Sequence, residues 1–75
     1  MGDRLPQVTS KELIRALEQL GFVIRRTTGG HVILRHPVSH HMVSIPFHMG
    51  DIKRGLLFGI LKQADISRED FLKVL

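Results

Sequence analysis

The chain has 75 residues, enough for one small domain whose core is close to the lower limit for independent stability. It contains no cysteine, which excludes disulfides and thiolate metal sites, and no apolar run approaches the roughly 20 residues of a membrane span. The first residues also lack the basic and then apolar layout of a signal peptide, so we expect a cytoplasmic protein with no membrane contact.

The formal net charge is +4, and the charges are unevenly distributed along the chain. No acidic residue occurs between Glu18 and Asp51, whereas this interval carries three arginines and all five histidines: Arg25, Arg26, Arg35, His31, His36, His40, His41 and His48. A segment of one sign attracts polyanions, and nucleic acid is the commonest polyanion in a cell. A net charge of this size also simply keeps small domains soluble, so the pattern favours nucleic-acid binding without requiring it.

The first predicted element is a helix from about Ser10 to Leu20, after an irregular lead-in over residues 1–8. Thr9 and Glu12 have the spacing of a capping box, in which each side chain bonds to the other residue's amide. Apolar residues follow at helical spacing and predict one buried stripe, made of Leu13, Ile14, Leu17 and Leu20. Gly21 is placed to end the helix in the left-handed conformation.

Three antiparallel strands are predicted next, over residues 22–27, 31–36 and 41–47, with a hairpin turn at Gly29 and Gly30. Pro46 cannot donate a ladder hydrogen bond, so the third strand should lie at an edge or stop pairing there. Alternation predicts one set of side chains facing the helices: Phe22, Ile24, Val32, Leu34, Val43, Ile45 and Phe47. The other set should share an open face: Arg25, Thr27, His31, Ile33, Arg35, Ser44 and His48.

After a connector over residues 49–52, a second helix is predicted from about Lys53 to Ala64 with Asp51 as its N-cap. Its predicted buried residues are Leu57, Ile60, Leu61 and Ala64. Gly55 and Gly59 each cost about 1 kcal/mol relative to alanine, which suggests a close backbone approach or a late helix start. A cap at Ser67 opens a short last helix with Phe71, Leu72 and Leu75. The predicted fold class is therefore α+β, with a short extra C-terminal helix.

His31 is the candidate reactive residue, because it stands where the glycine turn becomes a strand. Glycines can take positive φ, and without side chains they leave room for a substrate to approach the backbone. The simpler interpretation is a hairpin turn followed by a solvated histidine.

The sequence resembles the HicA family of toxins from bacterial and archaeal toxin–antitoxin pairs. The resemblance covers nearly the whole chain, so we expect a single HicA-like domain over residues 1–75. It rests on the order and spacing of Leu5-Pro6, Leu20-Gly21-Phe22, Gly29-Gly30-His31, Val32 to Pro37, Ile45-Pro46-Phe47-His48, Gly55-Leu56-Leu57 and Ile60 to Ala64. Two positions depart from the family pattern, since Gly30 and Leu56 stand where serine and threonine are more usual.

This resemblance implies a fold like that of double-stranded-RNA-binding domains and metal-independent cleavage of mRNA, with no cofactor. It also implies that His31 is catalytic and that a HicB-like antitoxin silences the toxin. We expect a monomer when the protein is free and a hetero-oligomer with its antitoxin.

Histidine can transfer the protons that RNA cleavage requires, and arginines can hold the phosphates. The sequence therefore predicts His31 as general acid or base and His48 as a possible second proton-transfer group. Predicted RNA-binding residues are Arg25, Gly29, Gly30, Arg35, Lys53 and Arg54, whereas Arg26, Lys11, Arg15 and Lys62 are interpreted as surface charges.

Two other classes of function are compatible with the same residues. A non-catalytic RNA-binding module would need only the fold and the basic surface, because such domains recognise RNA by shape and phosphate. A metal protein would have to use the five histidines, but these lie on a loop and on separate elements without an acidic partner, so no metal site is predicted.

Overall fold

The computed structural model of the chain describes residues 5–48 and 50–75. Within them the elements follow the order α1 (Ser10–Gln19), β1 (Val23–Thr27), β2 (His31–Arg35), β3 (Met42–Pro46), α2 (Arg54–Gln63) and α3 (Arg68–Lys73). The predicted α+β fold class is confirmed. Residues 1–4 of the predicted lead-in and Met49 of the predicted connector lie outside the described residues. Among the described helices, none has the length and apolar character needed to cross a membrane.

The first helix begins and ends as its capping residues predict. The Thr9 hydroxyl accepts a hydrogen bond from the Glu12 amide (3.1 Å), and the Thr9 amide donates to the Glu12 carboxylate (2.9 Å). Leu20 is the C-cap, and Gly21 follows with a φ of 102°, the left-handed conformation expected there. The apolar stripe is buried at Leu13, Ile14 and Leu17 and half-buried at Leu20.

The sheet has the order β1-β2-β3, with both neighbouring pairs antiparallel. Four side chains of β2 and β3 face the helices and are buried, as predicted: Val32, Leu34, Val43 and Ile45. β3 pairs only with β2 among the described strands and ends at Pro46, as expected for a residue that lacks an amide proton.

The register of β1 changes in the middle of the strand. Ile24 pairs with Leu34, but Arg26 pairs with Ile33, so Arg25 is an extra residue in a β-bulge. After the bulge the alternation is inverted relative to the prediction. Thr27 therefore pairs with buried Val32 and lies on the face toward the helices, whereas the prediction placed it on the open face.

Two apolar side chains that were predicted to be buried are largely exposed. Ile24 is 41% exposed and Phe47 is 52% exposed. Phe47 lies one residue beyond β3, where the alternation of a strand no longer fixes its direction, and Ile24 lies on an edge strand that α1 covers only in part. Both side chains line the same groove, which is described below.

The second helix begins one residue later than predicted and has a different cap. Its N-cap is Lys53, without a side-chain hydrogen bond, whereas Asp51 forms an isolated bridge with Thr9. The buried face is the predicted one: Leu57, Ile60, Leu61 and Ala64. A Cβ added at Gly55 or Gly59 would meet no atom within 4 Å, so no other backbone approaches these glycines.

The segments that flank the elements complete the core. Leu5, Val8 and Ile52 are buried, and the Ile52 amide donates to the Val8 carbonyl (2.7 Å). The Ser67 hydroxyl caps α3 by accepting from the Asp70 amide (3.0 Å), which positions a fully buried aromatic ring at Phe71. The core therefore uses residues from both ends of the described chain.

Ser10 is a buried polar residue of this core, and it connects α1 to the end of β3. Its hydroxyl donates to the Pro46 carbonyl (2.7 Å) and accepts from the His48 amide (3.5 Å).

We expect Ser10→Ala to lower the free energy of unfolding by about 1–3 kcal/mol, because it leaves a carbonyl without its donor. Urea denaturation measures the change, and exposed Ser44→Ala should change it by less than about 0.5 kcal/mol. Equal effects of the two substitutions would contradict a structural role for the Ser10 hydroxyl.

Candidate active site

The turn between β1 and β2 places His31. The Thr28 amide and hydroxyl both donate to the His31 carbonyl, at 2.8 and 3.3 Å, and the Phe47 amide donates to the Gly30 carbonyl at 2.9 Å. The backbone around His31 is therefore held by the residue after β1 on one side and by the residue after β3 on the other. The glycines are not needed for a left-handed backbone, because neither Gly29 nor Gly30 has a positive φ. A Cβ at either glycine would meet no atom within 4 Å, so no other part of the protein covers the turn there.

The side chain of His31 lies on the open face of the sheet, as predicted. His31 is the first residue of β2 and pairs with Pro46, and its neighbour Val32 points to the core. Because successive residues of a strand point to opposite faces, the imidazole points away from the helices. It is exposed, so a polymer could reach it without any opening of the fold.

Three arginines surround an apolar centre on the same face, and we call this surface the arginine face. It is a shallow depression of about 290 Å³ lined by Arg25, Arg26, Ile33, Arg35 and Met42. The bulge brings two successive arginines of β1 to this depression, and its lining contains no acidic residue. Phosphate groups would therefore meet several positive charges here, without a competing carboxylate.

Arg26, which sequence analysis interpreted as a surface charge, is exposed and lines the arginine face. In the structure it pairs with Ile33 at the centre of the arginine face. A regular strand would have put it on the opposite side from Arg25, and nothing in the sequence indicates the bulge. Arg35 lies on the open face as predicted, half-buried in β2.

His48 lies beyond the end of β3, so strand alternation does not determine its direction. Its amide donates to the Ser10 hydroxyl, and its side chain lines a second depression together with Thr9, Lys11, Phe47 and Gly50. The structure thus places it beside the first turn of α1, and not with His31 on the open face as predicted. Its role as a second proton-transfer group stays a prediction.

Lys53 and Arg54 lie at the start of α2, apart from the arginine face. The Arg54 guanidinium donates to the Leu5 carbonyl (3.4 Å), and both basic residues line a pocket with Pro6 and Asp51. Arg54 therefore holds the N-terminal segment in place. Contact of either residue with RNA stays a prediction.

His36 has a structural position that sequence analysis missed. Its Nδ1 accepts hydrogen bonds from the Val38 and Ser39 amides, at 3.1 and 3.2 Å. The ring meets Phe22 edge to face, with ring centres 5.2 Å apart. It therefore shapes the turn between β2 and β3.

Across residues 5–48 and 50–75, no three histidine or acidic side chains are grouped as metal ligands would be.

A comparison with known proteins identifies the family of this chain. Residues 10–66 match the model of a family described as HicA toxin of bacterial toxin-antitoxin, whereas a search of curated proteins finds no match. The matched region includes α1, the whole sheet and α2, and so it contains the glycine turn, His31 and the arginine face. The chain therefore belongs to the family of HicA toxins of bacterial toxin–antitoxin systems.

Proposed function

We propose that this toxin is a metal-independent endoribonuclease that cuts mRNA, with His31 as a general acid or base. The observation that carries the proposal is an exposed imidazole beside a hydrogen-bonded hairpin turn, on the face that also holds three arginines. An imidazole can exchange protons near neutral pH, and the arginines can bind the charged backbone of the substrate.

RNA carries its own nucleophile, so the protein needs no covalent intermediate. The ribose 2′-oxygen attacks the adjacent phosphorus and loses its proton to a base. The bond from phosphorus to the 5′-oxygen breaks, that oxygen takes up a proton from an acid, and a 2′,3′-cyclic phosphate remains. His31 serves as one of these two groups, which contributes about 10²- to 10⁴-fold to the rate. His48 is the candidate for the other.

Positive charge on the protein stabilises the five-coordinate phosphorane of the transition state, whose oxygens carry two negative charges. Arg25 and Arg35 are proposed to hold phosphates beside His31, and Arg26 joins them because of the bulge. The amides of Gly29 and Gly30 offer further donors at the bare turn. Lys53 and Arg54 are proposed to hold a more distant part of the same RNA.

Regulation follows from the same surface. A HicB-like antitoxin that covers the arginine face would block access to His31, and acidic groups on it would complement the three arginines. Ile33 and Met42 provide apolar contact area at the centre of that face. We therefore propose a free monomer in the cytoplasm and a hetero-oligomer with the antitoxin.

The proposal is tested by incubating the purified chain with end-labelled single-stranded RNA in the presence of EDTA. We expect cleavage at unchanged rate and products that end in a 2′,3′-cyclic phosphate. Loss of cleavage in EDTA would contradict a metal-independent reaction. RNA that is bound but stays intact, with or without Mg²⁺, would support the second candidate function, a binding module that uses the arginine face without chemistry.

A further inference from the structure

We propose that the groove between α1 and the β1-β2 hairpin binds an unpaired nucleobase of the RNA, next to the phosphate held at His31. This inference rests on the proposed function, because it names the part of the substrate that lies beside the reacting phosphate.

The groove is an apolar concavity beside the hairpin turn. It has a volume of about 380 Å³, and its walls are Ile14, Ile24, Val32 and Phe47. Ile24 and Phe47 remain about half exposed, although the strand pattern would bury both. Aromatic and aliphatic walls of this kind stack on the faces of an unpaired base, whichever base it is.

Polar groups are found at the margins of the groove. Thr27, Thr28 and Gly29 supply hydroxyl and backbone groups at its hairpin end, and Lys11 supplies a positive charge from α1. None of the residues that line the groove is acidic. A nucleotide matches this arrangement, because a base has flat apolar faces and polar edges, and its phosphate is an anion. An apolar peptide side chain would leave the lysine and the hydroxyls without a matching group.

The groove reaches the hairpin turn that precedes His31. Gly29 lines the groove, and His31, two residues further along, points to the other face of the sheet. Because the glycines present no side chain at the turn, an RNA strand could pass over it from one face to the other. Lys11 and Phe47, which line the groove, also line the neighbouring depression that contains His48. The same strand would thereby pass both histidines.

Binding of uncleavable RNA separates this inference from catalysis. The probe is a short fluorescent oligoribonucleotide with 2′-methoxy groups on every sugar, compared with the same backbone without bases. We expect the wild-type chain to bind the probe with bases about tenfold more tightly, because base stacking has roughly this effect on affinity. Phe47→Ala and Ile24→Ala should each abolish that preference while binding of the base-free backbone is unchanged.

The control is Val38→Ala, which truncates an exposed apolar side chain (82% exposed) in the loop between β2 and β3, away from the groove, and should keep the full preference. An unchanged preference in both groove variants would overturn the inference, even if RNA cleavage by His31 were established. If those variants lost only the binding of the antitoxin, the groove would be a protein-binding site and the inference would be wrong. A wild-type chain that keeps the preference but does not cut RNA would refute the proposed reaction and leave base binding supported.

Discussion

Replacing His31 with alanine is expected to reduce the rate of RNA cleavage by at least about 10²-fold, because a positioned general acid or base contributes about that much. RNA binding should change little, since the three arginines of the arginine face remain. Folding should also be unaffected, because the residue is exposed. Single-turnover cleavage of labelled RNA measures the first effect, and fluorescence anisotropy and thermal unfolding measure the other two.

The matched control is His40→Asn, which removes an exposed histidine from the loop between β2 and β3. His40 has a φ of 69°, a conformation that asparagine tolerates better than most residues. This variant should cut RNA at the wild-type rate. Wild-type cleavage by His31→Ala would show that the imidazole of His31 takes no part in the chemistry.

Gly21→Ala is expected to destabilise the fold by about 2–4 kcal/mol, a large share of the stability of a small domain. The backbone has a φ of 102° at this position, which an alanine adopts only under strain. The new Cβ would also lie 2.7 Å from Nε2 of His36. Relief of that collision would move a ring that holds the Val38 and Ser39 amides.

Urea denaturation monitored by circular dichroism measures this change. Gly59→Ala is the control, since its Cβ meets open space and the residue lies within α2. That substitution should raise stability by up to about 1 kcal/mol, the difference in helix propensity between the two residues. A Gly21→Ala variant as stable as the wild type would show that the turn relaxes without cost.

The regular parts of the fold could be predicted because each follows from local rules. The capping box of Thr9, the left-handed Gly21 and the alternation of β2 and β3 were all confirmed. The bulge at Arg25 could not be predicted, because an extra residue in an edge strand leaves no mark in composition or periodicity. That one residue reversed the face predicted for Thr27 and brought Arg26 to the arginine face.

The candidate site was predictable only where it depends on the hairpin. The turn and the strand after it place His31 correctly on the open face. Contacts between distant segments could not be deduced, such as the Ser10 hydroxyl bonded to the Pro46 carbonyl or the His36 ring against Phe22. The groove also escaped prediction, since the exposure of Phe47 depends on where β3 ends.

The bulge in β1 has a further consequence for self-association. A straight outer strand with free backbone groups can recruit another strand and start aggregation, and proteins often prevent this with an irregularity or with charge. β1 has both, because Arg25 interrupts the ladder and a second arginine follows it. Removing Arg25 would straighten this outer strand and halve its charge, and the resulting chain should aggregate at concentrations where the natural one remains dispersed.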